Sequence, residues 1–235
     1  MKHYRWIVWD WNGTLLDDVD TAIRCVNDML AKRRRTDRMD RKRYHALMEM
    51  PIIRFYEKLF DLKRDPFSQL SVEFVESYQR YVGDAALMEG ALDTLQALKS
   101  AGFLQAILSS FEAGQLKRYV ARFGIGKYFQ AISGADNIRS ESKERRGAEL
   151  AEQLSIFQGE AVMIGDLAHD YESALAMGAD CILIANGHQN LINLERETAQ
   201  LTSNGGNSLL RFVSDIRQVP VQLQSMAEQR QTAFR

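Results

Sequence analysis

Short apolar runs recur along the chain, each followed by a polar residue or a glycine, and segments with helical spacing separate them. The runs are too short for helices, and their residue types are typical of buried strands. Strands that alternate with helices in this way predict a parallel, doubly wound α/β sheet. The predicted strands are 4–9, 103–108, 129–132, 161–164 and 181–184.

One segment between the first two predicted strands departs from this alternation. From about Asp18 to Leu87, apolar residues recur only at helical spacing, in three stripes. Ser71 is a candidate N-cap for the third stripe. We therefore predict that residues 18–87 are all-helical. At the other end of the chain, the polar stretch after about Gln222 is expected to fray.

Composition narrows the class of protein. The chain has 30 Lys+Arg and 31 Asp+Glu, a formal net charge of −1, which disfavours a nucleic-acid-binding protein. Cys25 and Cys181 form neither a disulfide framework nor a metal-ligand pair, which indicates a reducing, intracellular compartment. The sequence contains no apolar run long enough to span a bilayer. We expect a cytoplasmic protein with no membrane partner and leave the oligomeric state open.

One cluster of positive charge lies within 32–43. Asp28, Asp37 and Asp40 partly balance it. It is interpreted either as a solvated helix end and loop or as a surface that attracts an anionic substrate or partner.

Polar residues follow three of the predicted strands directly. The carboxyl ends of strands in an open parallel sheet are where ligands bind. Buried acids need a partner or a cation, and oxygen ligands suit Mg²⁺, which binds substrate phosphate. Lys143, at the start of a predicted helix, would add positive charge to such a site. The residues after the strands are Asp10 and Asn12, Ser109 and Ser110, and Asp166 and Asp170.

These residues belong to motifs that together resemble those of the haloacid dehalogenase (HAD) superfamily. The motifs occur in the family's order, as Asp10-Trp11-Asn12-Gly13-Thr14, Leu108-Ser109-Ser110, Ser142-Lys143 and Gly165-Asp166-Leu167-Ala168-His169-Asp170. The helical segment resembles the inserted cap of the phosphoglycolate phosphatase-like branch. The resemblance implies a Rossmann-like core domain at 1–17 and 88–235 and an all-helical cap domain at 18–87.

The resemblance also implies roles in catalysis and substrate binding. Asp10 would be the nucleophile and would form an aspartyl-phosphate. Ser109 and Lys143 would hold the transferred phosphoryl group. Ser110 and, in the cap, Arg54 are further candidates for substrate binding.

A magnesium ion is the cofactor that the resemblance implies. Asp10, Asp166 and the main-chain carbonyl of Asn12 would hold it, and Asp170 would support its water shell. Together with Lys143, Mg²⁺ would offset the repulsion between an anionic nucleophile and an anionic phosphate.

Asn12 is a departure from the family pattern. Family phosphatases usually carry Asp at this position, where it protonates the leaving oxygen and then activates water. An amide cannot move a proton at neutral pH, and general acid–base catalysis is typically worth about 10²–10⁴-fold. The sequence therefore predicts a Mg²⁺-dependent phosphatase of a small phosphorylated metabolite that is slow on ordinary alkyl phosphates. Either it prefers good leaving groups, such as acyl phosphates or activated aryl esters, or the substrate or another group, such as His169 or a cap side chain, supplies the proton.

Two alternatives follow from Asn12. The first is a phosphate-ester-binding protein on the same scaffold that does not turn its ligand over. The second is a C–P hydrolase that resembles phosphonoacetaldehyde hydrolases, which share an Asp-Trp-x-Gly-Thr motif but need a lysine from the cap. Arg54 stands where that lysine is expected, and Lys58 is the nearest substitute. His188 is expected on the surface.

Overall fold

The structure, a computed structural model, describes residues 4–135, 142–202 and 208–233. Within these ranges the strands are β1 (Trp6–Trp9), β2 (Leu16–Asp17), β3 (Ala86–Leu87), β4 (Leu104–Glu112), β5 (Ala131–Ala135), β6 (Ala161–Gly165), β7 (Asp180–Ile184) and β8 (Leu210–Val213). The helices are α1 (Val19–Lys32), α2 (Arg41–Leu47), α3 (Ile53–Glu57), α4 (Phe67–Tyr81), α5 (Ala91–Ser100), α6 (Ala113–Arg122), α7 (Lys143–Gln153), α8 (Ala168–Ala176), α9 (Leu191–Thr202) and α10 (Val219–Ala233). Short 3₁₀ turns lie at Val82–Asp84, Gly126–Tyr128 and Ile216–Gln218.

The central sheet has the strand order β5-β4-β1-β6-β7-β8. Every pairing in it is parallel. Strands of such a sheet are buried on both faces, which explains why β1 and β6 are continuous apolar runs and why β7 is apolar after Asp180. The predicted α/β fold with a parallel, doubly wound sheet is confirmed.

Helices cover both faces of this sheet. On one face Ile7 and Trp9 of β1 share a buried cluster with residues of α5, α6 and α10. On the other face Trp6 and Val8 pack with residues of α7, α8 and α9. The alternation of side chains along β1 therefore divides the core into two layers, one on each side of the sheet.

The helical segment of residues 18–87 has a core of its own. Buried residues of α1, α2, α3 and α4 form a third apolar cluster. The chain leaves the sheet through β2 and returns through β3, and these strands pair antiparallel with Leu16 opposite Leu87. We propose the division into a core of 1–17 and 88–235 and a cap of 18–87 on these grounds, and use the name "cap" for that segment below.

One set of contacts between the cap and the core involves a short part of the chain that follows β7. The His45 ring lies 2.9 Å from the Gly187 carbonyl oxygen, through its Nε2. Asn193 donates to the Met48 carbonyl at 3.1 Å. The Met50 amide donates to Glu197 at 3.3 Å. These contacts hold the cap over the carboxyl ends of the central strands.

Half of the eight basic residues in the positive cluster at 32–43 form ion pairs within the cap. Arg33 contacts Asp65 at 2.9 Å and Glu73 at 2.9 Å. Arg43 contacts Asp37 at 2.8 Å. These ion pairs neutralise part of the positive charge within the cap. This favours the interpretation of the cluster as a solvated helix end and loop.

Two local predictions are wrong. Ser71 does not cap a helix, because α4 already begins at Phe67 and the Ser71 hydroxyl donates to the Phe67 carbonyl at 2.8 Å. The chain after Gln222 does not fray at once, because Leu223 and Met226 of α10 are buried. Arg230 of α10 also reaches Asp180, at 3.0 Å between Nε and Oδ2.

Both cysteines are buried free thiols. Among the described residues, no helix is long and apolar enough to cross a membrane.

Replacement of Leu223 tests the role of α10 in the core. Leu223 is 2% exposed, and Leu223→Ala is expected to lower the free energy of unfolding by about 2–5 kcal/mol because it leaves a cavity. Val221 on the same helix is 69% exposed, so Val221→Ala should change it by less than about 0.5 kcal/mol. Urea denaturation followed by circular dichroism measures both, and equal effects of the two variants would contradict this placement of α10.

Candidate active site

The adjacent strands β1 and β6 bring two acids together. The two strands pair in register, with Trp9 opposite Ile164, so Asp10 and Asp166 leave the sheet at neighbouring points of the same edge. The Asp10 amide extends the pairing and donates to the Ile164 carbonyl at 2.8 Å. Both carboxylates are buried.

Lys143 links the carboxylate that follows β1 to a carboxylate of α8. It is the first residue of α7, whose N-cap is Ser142, and only 4% of it is exposed. Its ammonium group donates to Asp10 and, at 2.5 Å, to Asp170. One buried cation thereby holds the carboxylate after β1 and a carboxylate of α8 in fixed positions.

Asp170 shapes the turn between β6 and α8. Its Oδ2 atom accepts the amide hydrogens of Asp166 and Leu167, each at 3.0 Å. These bonds satisfy free amides at the start of α8. Its Oδ1 atom is left to Lys143. A structural role at the helix start and a role in the charged cluster are thus compatible in this residue.

Burial and like charge shift the pKa values of this cluster. Burial raises the pKa of Asp10, and Asp170 adds to the rise while Lys143 opposes it. Burial also raises the pKa of Asp166, which Asp10 and Asp170 reinforce and His188 opposes. For Lys143 burial disfavours the ammonium form, but the two carboxylates outweigh it and raise the pKa.

The donor set fits a divalent cation. One oxygen each of Asp10, Asp166 and Asp170 can be chosen so that all lie within 4.8 Å of one another. Three buried carboxylates face one lysine, so the cluster has an excess of negative charge that a cation would neutralise. Carboxylate oxygens are the ligands that Mg²⁺ prefers.

Gly13 allows the loop after β1 to approach the Asp166 carboxylate closely. Its φ is +71°, in the left-handed region that favours glycine. A Cβ at this position would lie 2.2 Å from Asp166 Oδ2. That carboxylate receives a hydrogen bond from Thr14 at 3.2 Å and one from the His188 amide at 2.6 Å. The loop after β1 therefore contacts Asp166 through its backbone and one hydroxyl.

The serine motif lies within the neighbouring strand β4, which continues past the predicted end at Leu108 to Glu112 with a shift of register between them. β4 pairs with β1 on the side away from β6. Ser109 is buried, its hydroxyl oxygen accepts the Phe111 amide at 3.1 Å, and its carbonyl accepts a bond from Arg146 at the second turn of α7. Ser110 is exposed and lines a cavity between cap and core.

Asn12 lies in a polar network that the sequence motifs do not reveal. Its amide nitrogen donates to Asp18 at 3.0 Å and to the Tyr78 hydroxyl at 2.7 Å. The Tyr78 hydroxyl donates its own hydrogen to Asp18 at 2.6 Å. Because a carboxylate only accepts, the amide nitrogen must face Asp18, and Asp18 and the Tyr78 hydroxyl, which lie 2.6 Å apart, share one of its hydrogens.

His188 completes this network. Its Nε2 lies 3.3 Å from Asp18, and its Nδ1 lies 2.9 Å from the Tyr44 hydroxyl. The expectation that His188 lies on the surface is wrong, because the residue, which lies in the loop after β7, is buried against the cap. Burial lowers the pKa of His188, but the Asp18 carboxylate outweighs it and raises the pKa to about 9. In return, against the effect of burial, His188 lowers the pKa of Asp18.

A sequence profile of the haloacid dehalogenase-like hydrolases matches residues 7–184, which contain all the residues of the charged cluster. The chain belongs to the haloacid dehalogenase-like hydrolase family. This confirms the resemblance seen in the four motifs, and the relatives of the chain within the family include phosphatases.

Two curated relatives show different activities in this family. The chain is 32% identical to the tyrosine-protein kinase PtkA of Mycobacterium tuberculosis over 104 residues, which are 44% of this chain and 36% of the kinase. It is 22% identical to phosphoglycolate phosphatase 1 of Pseudomonas aeruginosa over 88% of this chain and 78% of that protein. The matched region thus spans little more than a third of the kinase.

Solved structures of the family share the fold. A haloacid dehalogenase-like family protein of Streptococcus pneumoniae superposes with a TM-score of 0.75 at 16% identity, over 94% of this chain and 99% of that one. The likeness extends over both the sheet and the cap.

Two candidates of the cap lie away from the carboxylates. Arg54 pairs with Glu49 at 3.0 Å and lines a second cavity, on the side of His169 and Glu172. Lys58 contacts the same Glu49 and donates to the Leu47 carbonyl at 3.2 Å. The structure does not place either side chain in the cavity that Asn12 lines. It therefore gives no support to a lysine-dependent C–P hydrolase.

His169 lies beside the charged cluster, on the side of that second cavity. Its Nδ1 contacts Glu172 at 2.8 Å and Glu144 at 3.1 Å. Burial lowers its pKa, and the two glutamates reverse the sign so that the net shift is upward. The His169 ring is thus held by one glutamate of α7 and one of α8.

Replacement of Gly13 tests the close approach to Asp166. Gly13→Ala is expected to cost about 1–2 kcal/mol in backbone strain and to weaken Mg²⁺ binding at least ~10-fold, because Cβ would displace the carboxylate. Gly83→Ala is the control, since a Cβ there meets no atom within 4 Å. Thermal unfolding and calorimetric Mg²⁺ titration measure both effects. Unchanged Mg²⁺ affinity in Gly13→Ala would contradict the placement.

The raised pKa values of Asp10 and Asp166 predict how Mg²⁺ binding depends on pH. A raised carboxyl pKa means that protons compete with the cation over a range closer to neutrality. Affinity should therefore rise, and proton release on binding should fall, from about pH 6 to about pH 8. Calorimetry in two buffers of different ionisation enthalpy measures both quantities. An affinity that is flat or falls with pH would be inconsistent with the carboxylate cluster as the binding site.

Proposed function

We propose that the chain is a Mg²⁺-dependent phosphatase that hydrolyses a small phosphorylated metabolite, with Asp10 as the nucleophile. The observation that supports this most directly is the buried contact of Lys143 with Asp10, next to the carboxylates of Asp166 and Asp170. Such a cluster has little value for stability, because charges are costly to bury, but it suits phosphoryl transfer. The match to the hydrolase family and the phosphatase relatives agree with it.

The side chains have the following roles in this proposal. Lys143 holds Asp10 by one oxygen, which leaves the other oxygen for attack on phosphorus. The same ammonium and the Ser109 hydroxyl bind oxygens of the phosphoryl group. Asp10, Asp166 and the carbonyl of Asn12 hold Mg²⁺, and Asp170 orients its surroundings. When bound, the ion neutralises charge on the phosphoryl group.

Asn12 limits the reaction. Its amide nitrogen is held by Asp18 and Tyr78, and an amide has no proton to give to the leaving oxygen at neutral pH. The same observation favours a second candidate, a protein that binds a phosphate ester and releases it unchanged.

Replacement of Asp10 tests the covalent step. Asp10→Asn is expected to lower phosphate release on the order of a thousandfold or more, because an amide is a poor nucleophile. Asp93→Asn, which removes an exposed carboxylate on α5, should leave the rate unchanged. The measurements are phosphate release with Mg²⁺ and acid-quenched phosphoenzyme. Persistent turnover in Asp10→Asn would exclude Asp10 as the nucleophile.

A paired replacement separates the slow phosphatase from the binding protein. Asn12→Asp alone puts a second carboxylate against Asp18, so we expect the best effect from Asn12→Asp combined with Asp18→Asn, which keeps one acid and one amide in contact. Turnover of an alkyl phosphate should rise by about 10²-fold or more, since a general acid is restored. Asp18→Asn alone is the control. If the parent and all three variants bind the ester but release no phosphate, the binding protein is the correct assignment.

A further inference from the structure

A cavity of about 530 Å³ lies between the cap and the carboxyl ends of the central strands. Its core side is lined by Leu167, which follows Asp166, by Asn12, two residues after Asp10, and by Ser110, which follows Ser109. A phosphoryl group at Asp10 would therefore carry its leaving group into this cavity. The size is sufficient for a bicyclic ring system.

The lining of this cavity is mostly apolar. Side chains from α4, from the loop after α2 and from the end of β4 face it, and most are thioethers, aliphatic chains and aromatic rings. Phe74 stacks on Tyr78, which in turn makes an edge contact with Phe111, so that aromatic rings form one wall. The apolar residues that carry the argument are Met48, Met50, Ile52, Phe74, Val75 and Phe111.

The charge of the lining disfavours leaving groups that carry negative charge. Of the residues that the structure describes, no lysine and no arginine lines this cavity. The charged groups that do are the acids Asp18 and Glu112 and the histidine His188, whose ring is bound by Asp18 and Tyr44. A leaving group with a carboxylate or a second phosphate would meet acids without a free cation, which opposes its binding.

The amide of Asn12 restricts the leaving group in a different way. Its nitrogen is held by Asp18 and Tyr78, and an amide cannot transfer a proton to an alkoxide as that group departs. An alkoxide leaves slowly without a proton, whereas an aryloxide spreads its charge over the ring and leaves as the anion. The Asn12 network thus disfavours the hydrolysis of alkyl phosphates but does not prevent that of aryl phosphates.

We infer that the substrate is a phosphate monoester of an uncharged aromatic alcohol, an aryl phosphate whose ring lies between Phe74, Val75 and Phe111. This inference rests on the proposed function of the Asp10 site and names its substrate class. In the first step an Asp10 oxygen bonds to phosphorus, the bond from phosphorus to the aryl oxygen breaks, and the aryloxide takes that electron pair. Water then attacks phosphorus and the bond to Asp10 breaks. One water hydrogen ends on phosphate and the other on the aryl oxygen.

A substrate comparison tests the class. We expect kcat/KM with Mg²⁺ to be at least ~100-fold higher for 2-naphthyl phosphate than for 2-phosphoglycolate, and about 10²–10⁴-fold higher than for cyclohexylmethyl phosphate, which is apolar but leaves as an alkoxide. The reverse order for either pair would overturn the inference while leaving Asp10-dependent hydrolysis in place.

A pair of variants on α4 tests where the ring lies. Val75 lines the cavity, whereas Val72, on the same helix, is 50% exposed and is not part of the lining. Val75→Arg should shift the ratio of kcat/KM for 4-carboxyphenyl phosphate over phenyl phosphate upward by at least ~10-fold, because the new cation binds the carboxylate. Val72→Arg should leave that ratio unchanged. Equal ratios in both variants and the parent would overturn the placement of the ring.

Binding of a phosphonate separates failure of this inference from failure of the proposed function. Naphthylmethylphosphonate is not hydrolysed, so its affinity can be measured by calorimetry even if no ester is turned over. Tighter binding than phosphonoacetate, by at least ~10-fold, supports the aryl class regardless of catalysis. Weaker binding would overturn it, whereas absent turnover of every ester would overturn only the proposed phosphatase.

Discussion

The contact of the Lys143 ammonium with Asp10 and Asp170 determines the arrangement of the whole site. Three buried carboxylates would repel one another, and Lys143 reduces that repulsion from a fixed position at the start of α7. Removal of a single partner would leave uncompensated buried charge, which typically costs several kcal/mol. The fold supports this cluster by burying β1 and β6 on both faces, so that the loops after them have a rigid base.

The cap contributes to chemistry as well as to shape. Asp18 begins the cap, and it joins Asn12 and His188 of the core to Tyr78 of the cap through hydrogen bonds. Asn12 is an amide that these neighbours hold in place. One end of the cavity is thus closed by a polar network, and the rest of the lining is mostly apolar.

Much of the core site was predictable because its residues follow strands that the sequence marks clearly. Asp10 and Asp166 come directly after apolar runs, and parallel pairing brings such positions together. Asp18 and Tyr78 were missed, since their contact joins residues sixty positions apart and no spacing rule predicts it. His188 was taken for a surface residue because its burial depends on Tyr44 of the cap. The end of α10 was read as polar because its few buried residues are separated by exposed ones.

The two hydroxyls that complete the Asn12 network, those of Tyr44 and Tyr78, both belong to the cap, whereas Asn12 and His188 belong to the core. A displacement that moved α2 and α4 away from the core would therefore break hydrogen bonds of Asn12 and His188. The amide of Asn12 would then exchange one protein partner for water and regain it on closure. Such a movement would change the width of the cavity and the polarity beside Asn12 together.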